Sequence, residues 1–129
     1  MLSHDLDQFD VLPDELILAG RIVCQNGMFL DVDKRLEIRD RGGRLYVRTR
    51  RYNYQAMIMG SDPRPVFRYD NAHAYPGHAD DHHRHGVNYE DWTYNEPPQW
   101  VGHDRWPLLS EVIDELYQWW LTTGWRLRP

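Results

Sequence analysis

RLYVRTRRYNYQAMIMG, residues 44–60, is the stretch that decides the fold. It reads as one long strand, or as two strands broken by a bend. Side chains alternate across a strand. One face then carries Tyr46, Arg48, Arg50, Tyr52, Tyr54, Ala56 and Ile58. The other carries Leu45, Val47, Thr49, Arg51, Asn53, Gln55 and Met57. Both faces turn polar in mid-strand, which is unusual for a plain core strand.

The flanks repeat the pattern. Upstream, Arg41-Gly42-Gly43 is a turn signal. Residues 28–39 alternate roughly, with Phe29, Val32, Leu36 and Ile38 as apolar marks. Gln25-Asn26-Gly27 is a strong hairpin signal, and residues 15–24 read as the strand before it. Residues 1–14 are a polar lead-in. Downstream, residues 60–65 form a turn with two prolines, and VFRYD (66–70) is the next strand. Short turns between successive strands predict an antiparallel meander.

Residues 71–105 are rich in His, Asp, Asn, Gly and Pro. A connection this long is commonly functional, and residues 86–94 within it could add a short strand. The last element is a helix. Pro107 suits a helix start, and Leu109, Val112, Ile113, Leu116 and Trp120 form one apolar stripe. Gly124 reads as its C′ residue. The stripe cannot take in every tryptophan, which leaves Trp119 exposed. The expected fold is a single two-layer α+β domain over residues 1–129. An antiparallel meander sheet of about four to five strands would be packed by one C-terminal amphipathic helix.

Composition narrows the function. Net charge is −5, so the chain is no general nucleic-acid glue. The charge is unevenly spread. Asp5, Asp7, Asp10, Asp14 and Glu15 open the chain, and arginines dominate from Arg35 to Arg51. Lys34 is the only lysine. Guanidinium is the better fork for phosphate or carboxylate, although coding bias would give the same excess. Cys24 is the only cysteine, which excludes an intrachain disulfide and a cysteine-cluster zinc site; it reads as a small core residue. No stretch resembles a leader or a membrane span, so a cytoplasmic protein is expected.

HADDHHRHG, residues 78–86, is the chemical anomaly, and five of the seven histidines lie between His73 and His85. Three readings stay open. The first is a divalent metal such as Zn, Mn or Ni, with His73, His78, His82 and Asp81 as candidate ligands in a metal-dependent nuclease or hydrolase. The second is cleavage of RNA phosphodiesters with no cofactor. Histidine can both take and give a proton near neutrality, and a guanidinium can face the anion. In a strand His83 and His85 share a face and Arg84 points away. The cation would then be Arg68, Arg48 or Arg51. The third is a hydrogen-bonded polar surface on a non-catalytic protein- or nucleic-acid-binding module.

Arg68 lies mid-strand, where Val or Thr would be the ordinary choice, while Asp70-Asn71 also fits a turn. Tyr52 and Tyr54 read first as cross-strand packing and second as platforms for unpaired bases.

The order QNGMFLDV, RYNYQ, FRYDNAH, HHRH and one C-terminal amphipathic helix resembles the TumE group of toxins. The matching segments are Tyr52/Tyr54, Arg68-Tyr69-Asp70-Asn71 and His83-Arg84-His85, within roughly residues 15–122. The resemblance implies an endoribonuclease toxin paired with a helix-turn-helix antitoxin. It implies His83 and His85 as acid and base, Arg68 as phosphate cation, Asp70 orienting a histidine and Tyr69 in support. Arg84, Arg48, Arg51, Tyr52, Tyr54 and Asn71 would hold RNA. No cofactor is then expected, and a homodimer is compatible with the sequence. The segment 91–105, DWTYNEPPQWVGHDR, is bulkier and more aromatic than the resemblance leads one to expect.

Overall fold

Two turns with positive φ at both central residues set the meander. Asn26 and Gly27 have φ of 61° and 78°, and Gly42 and Gly43 have 63° and 80°. Such pairs give the I′ twist that matches right-handed strands. The computed structural model describes residues 14–71, 82–102 and 107–127. The first turn joins β1 (Glu15–Val23) to β2 (Met28–Arg41), and the second joins β2 to β3 (Arg44–Met59). β4 (Pro63–Asp70) follows.

The connection after β4 is more structured than the sequence suggested. Its described part contains β5 (His83–His85), a small hairpin of β6 (Val87–Asn88) and β7 (Thr93–Tyr94), and β8 (Gln99–Trp100). Among the described residues the main sheet has six strands, in the order β1-β2-β3-β4-β5-β8. Neighbouring strands are antiparallel throughout. The expected meander therefore holds and gains two short strands at the β4 edge.

One face of the sheet is covered by helix α1 (Leu109–Trp119). Val112, Leu116 and Trp119 pack on Met28, Leu30, Tyr52, Tyr54, Ala56, Ile58, Val66 and Phe67. Full burial of a side chain such as Leu116 contributes about 1.5–3 kcal/mol. Glu111 Oε1 accepts a hydrogen bond from the Leu108 N–H at 2.9 Å, which satisfies one orphan donor of the first turn.

Two expectations about the helix end are corrected. Trp119 is buried, not exposed. Gly124 is not a C′ residue, because the chain continues through a π-turn, Trp120–Gly124, into a last α-turn, Trp125–Leu127. The cause is packing. A Cβ on Gly124 would lie 2.4 Å from the Trp119 ring, so only glycine lets that ring fold down against the helix. Tyr89 packs against the same ring at a tilt, with centroids 5.6 Å apart.

β3 is a single strand of 16 residues, and only its second half enters the core. Tyr52, Tyr54, Ala56 and Ile58 are buried in alternation, whereas residues 44–48 are all exposed. A register shift interrupts the β2 pairing. Arg35 faces Arg51 and Leu36 faces Thr49, which leaves Arg50 as the extra residue of a bulge. The shift corrects the face assignment drawn from simple alternation. Tyr46 and Arg48 lie on the face opposite Tyr52 and Tyr54, because each residue beyond the bulge changes side.

Candidate active site

Cross-strand partners in an antiparallel sheet share a face. The register therefore builds two polar rows across four strands. Asp33, Asn53, Asp70 and His83 form one row, and Asp31, Gln55, Arg68 and His85 form the next. Between them, Val32, Tyr54, Tyr69 and Arg84 form a row on the helix-covered face. The alternation of His83-Arg84-His85 thus sends two imidazoles to one side and the guanidinium to the other.

Three side chains of the polar rows converge. Arg68 Nε donates to Asp70 Oδ2 at 2.9 Å. Arg68 Nη2 lies 3.3 Å from His85 Nε2, and that nitrogen lies 3.1 Å from Asp70 Oδ2. Asp70, His83 and His85 are buried, with exposures of 2, 0 and 4%. Arg68 keeps 26% of its side chain in solvent, so it is the member of the group that faces outward.

Burial is the main influence that lowers the His85 pKa, with the Arg68 cation second; Asp70 and Glu96 oppose them. The imidazole is therefore neutral at neutral pH; with its proton on Nδ1 the Nε2 lone pair accepts the Arg68 N–H, and with its proton on Nε2 it donates to Asp70 Oδ2. Tyr94 closes the side of the group. The Arg68 guanidinium lies 5.0 Å over its ring, and His85 meets it edge-on at 6.0 Å. Gln55 Nε2 donates to the Tyr94 hydroxyl at 2.8 Å.

The other face holds a second polar centre. Arg84 donates to Glu115 Oε2 through Nε at 3.0 Å and Nη2 at 2.7 Å. Tyr69 donates to Glu115 Oε1 at 2.6 Å. Burial first, and then the Glu115 carboxylate, pushes the Tyr69 hydroxyl up to about 12. Tyr69 thus stays protonated and ties β4 to α1. Neither Tyr69 nor Arg84 shares a face with Arg68 and His85.

The remaining candidates separate by location. Tyr52 and Tyr54 stack on each other at 5.1 Å and are buried, which leaves no ring face for a base; packing is the reading their burial supports. His82 is buried on the same side, its Nδ1 2.8 Å from the Tyr52 hydroxyl. Asn71 joins strand ends. Its Oδ1 accepts from Tyr52 N at 2.9 Å, and its Nδ2 donates to Arg50 O at 3.1 Å. Arg48 and Arg51 are exposed on the outer part of β3. His73, His78 and Asp81 lie outside the described residues. Among the described residues, no three His, Cys, Asp or Glu side chains come together as metal ligands.

Gln55, Tyr94 and Glu115 were not singled out from sequence. Gln55 and Tyr94 matter through strand register. Only the aromatic weight of residues 91–105 hinted at Tyr94. Glu115 lies off the apolar stripe of the helix, where a charged side chain ordinarily faces water.

The family model for toxin TumE matches residues 2–119 of the chain. No curated protein and no solved structure matches it. Among the described residues, no helix is long and apolar enough to cross a membrane.

Proposed function

The chain belongs to the TumE toxin family and so is the toxin of a toxin–antitoxin pair; from that premise we propose that it is an endoribonuclease whose site is Arg68, Asp70, His83 and His85. The observation that carries this reading is the contact of Arg68, Asp70 and His85 within 2.9–3.3 Å on one sheet face. A base for the 2′-hydroxyl and a cation for the charge on phosphorus are two of the parts that cleavage requires, and Asp70 lies where it can hold the base in place. The antitoxin is proposed to be of helix-turn-helix type, on the strength of the sequence resemblance, and the protein to be cytoplasmic.

The chemistry follows from the contacts. The reactive form has the His85 proton on Nδ1, so that Arg68 Nη2, 3.3 Å away, caps the Nε2 lone pair. A phosphate group draws the guanidinium outward, because a charged fork prefers an anion to a neutral imidazole. Nε2 is then free to take the 2′-hydroxyl proton. The 2′-oxygen attacks phosphorus, the bond to the 5′-oxygen breaks, and the leaving oxygen takes a proton from the imidazolium form of His83, whose row adjoins that of His85 on the same face. The new Nε2–H of His85 meets Asp70 Oδ2, which lies 3.1 Å away. Asp70 therefore orients His85 and stabilises its charged form. The products are a 2′,3′-cyclic phosphate and a 5′-hydroxyl.

The test is incubation of the purified protein with end-labelled RNA, with and without EDTA. Cleavage to cyclic-phosphate ends should survive EDTA and fall by about 10²–10⁴ in His85→Ala. Failure to cut any RNA, or an undiminished rate in His85→Ala, overturns the assignment. Cleavage abolished by EDTA would make the chemistry metal-dependent and would displace the mechanism written here.

A further inference from the structure

The outer ends of β2 and β3 leave the helix-covered core and continue as an arm. β1 accompanies it only as far as Glu15, opposite Glu37. Among the described residues the arm beyond that row consists of β2 and β3, which close at Arg41 and Arg44. Between residues 33 and 51 there are eight Lys and Arg against three Asp and Glu, in a chain of net charge −5. The positive charge of the protein is therefore concentrated here.

The bulge at Arg50 determines where that charge points. Without it, Arg48 and Tyr46 would fall on the side of Tyr52 and Tyr54. With it, Arg48, Arg39, Tyr46, Arg41 and Arg44 follow Arg51 on the face that carries Asn53, Gln55, Arg68 and His85. From Arg44 to Gln55 this face runs for about 35 Å at the strand rise. All five arm arginines named are exposed. Glu37 accepts from Arg39 at 2.8 Å and lies 3.7 Å from Arg48. Arg41 and Arg44 instead lie over the Tyr46 ring, at 5.4 and 5.8 Å.

We propose that this face of the β2–β3 arm is a binding track for single-stranded RNA, leading the strand to the Arg68–Asp70–His85 centre. The proposal rests on the ribonuclease reading. Exposed guanidiniums suit phosphates, and an exposed aromatic among them offers a stacking surface that tolerates any base. The track ends at Arg68, the outward-facing cation of the site, so backbone contact and chemistry share one continuous face. An acidic protein segment would also meet the charge. It would not account for the alignment of the arginines with the site or for the guanidinium–tyrosine stack.

The experiment measures binding of a labelled single-stranded oligoribonucleotide in the His85→Ala background, which keeps the RNA intact. Salt is varied. Arg39→Gln, Arg41→Gln, Arg44→Gln and Arg48→Gln are combined, and the four Arg→Lys changes serve as the charge-preserving control. Each lost phosphate contact lowers the salt slope by about 0.7. The combined variant should thus lose roughly 2–3 of slope and at least about tenfold in affinity, and the lysine set should restore the slope. The double variant Arg41→Gln/Arg44→Gln, confined to the turn, gives a smaller loss in the same direction if the fourfold change disturbs folding. Unchanged affinity and slope overturn the proposal. So does a variant that keeps RNA binding but loses its antitoxin, which would make the arm a protein interface. If the wild type binds RNA through the arm yet cuts none, the track stands and the ribonuclease reading falls. If it cuts RNA and the arm variants cut equally well, the reverse holds.

Discussion

Arg84 and His85 are neighbours in sequence and belong to two centres that face away from each other. On the helix side, Arg84 directs two donors at one oxygen of Glu115, and Tyr69 fills the other. On the opposite side, Arg68 divides its donors between a carboxylate and an imidazole. The parts are similar: one arginine, one acid and one aromatic or imidazole partner. The difference is what happens when a proton moves. The Glu115 centre has a phenol held far above neutral pH and a permanent cation, and neither of these two changes state near neutrality. The Asp70 centre contains an imidazole that can offer Nε2 to the Arg68 N–H as a lone pair or to Asp70 as an N–H. A structural clamp and a proton-handling site can thus be built from nearly the same residues, distinguished by one titratable group.

The sharpest way to separate the centres is Arg68→Gln. Loss of the cation that faces the phosphorane should cost cleavage about 10²–10³, the usual effect of removing one charge-stabilising donor. It should also move the acid limb of kcat/KM. The Arg68 charge helps to hold the His85 pKa down, against Asp70 and Glu96. In the wild type the base form persists as pH falls and is lost only below the ordinary imidazole value of about 6.5. Without Arg68 the His85 pKa rises, so activity disappears at a higher pH. The linked stability has the same sign. A lowered folded-state value gives stability that is present above the unfolded value and lost as pH falls through the folded one. A pH–rate profile that keeps its acid limb while the rate drops would separate Arg68 from His85 and break the comparison on that side.

Glu115→Ala attacks the other centre. It leaves Arg84 and Tyr69 half-buried without their acceptor. Side-chain exposures of 28 and 33% for Arg84 and Glu115 mean that water screens much of the loss. The expected destabilisation is about 1–2 kcal/mol, below the cost of breaking a fully buried pair. Chemical denaturation measures it. The folded variant should cleave at close to the wild-type rate, because its contacts lie on the far side of the sheet. A large fall in rate with normal stability would place Glu115 in the reaction and erase the distinction.

Much of this division was legible before the structure. The turns at Asn26-Gly27 and Gly42-Gly43, the helix stripe and the opposite pointing of Arg84 and His85 all follow from local rules. What escaped depends on long-range registration. The bulge at Arg50 sits between two further exposed arginines, Thr49 aside, and no glycine or proline announces it; yet it moves Tyr46 and Arg48 to the site face. The burial of Trp119 depends on a π-turn and on Gly124, which looked like an ordinary helix stop. The role of Glu115 is hidden in sequence because its partners lie 31 and 46 positions away. The meeting of Arg68 with His85 required β5 to pair with β4, and the 17-residue separation hides it.

Tyr69→Phe is the mildest test and the most discriminating for that residue. The change removes one hydroxyl and keeps the ring, which packs edge-on against Phe67 at 5.7 Å. The lost hydrogen bond is to a charged acceptor, but Arg84 still satisfies Glu115. The cost should therefore sit near the ordinary value for one hydrogen bond, about 0.5–1.5 kcal/mol. The sequence resemblance gives Tyr69 a supporting part in cleavage, whereas the register puts its hydroxyl on the helix side. A phenol held at about 12 by burial and by Glu115 is also a poor proton donor at neutral pH. Tyr69→Phe should then lower the denaturation midpoint slightly and leave kcat and its pH profile unchanged. A fall in kcat of tenfold or more at unchanged stability would show that the two faces are coupled through β4, and the clamp would have to be counted as part of the active site.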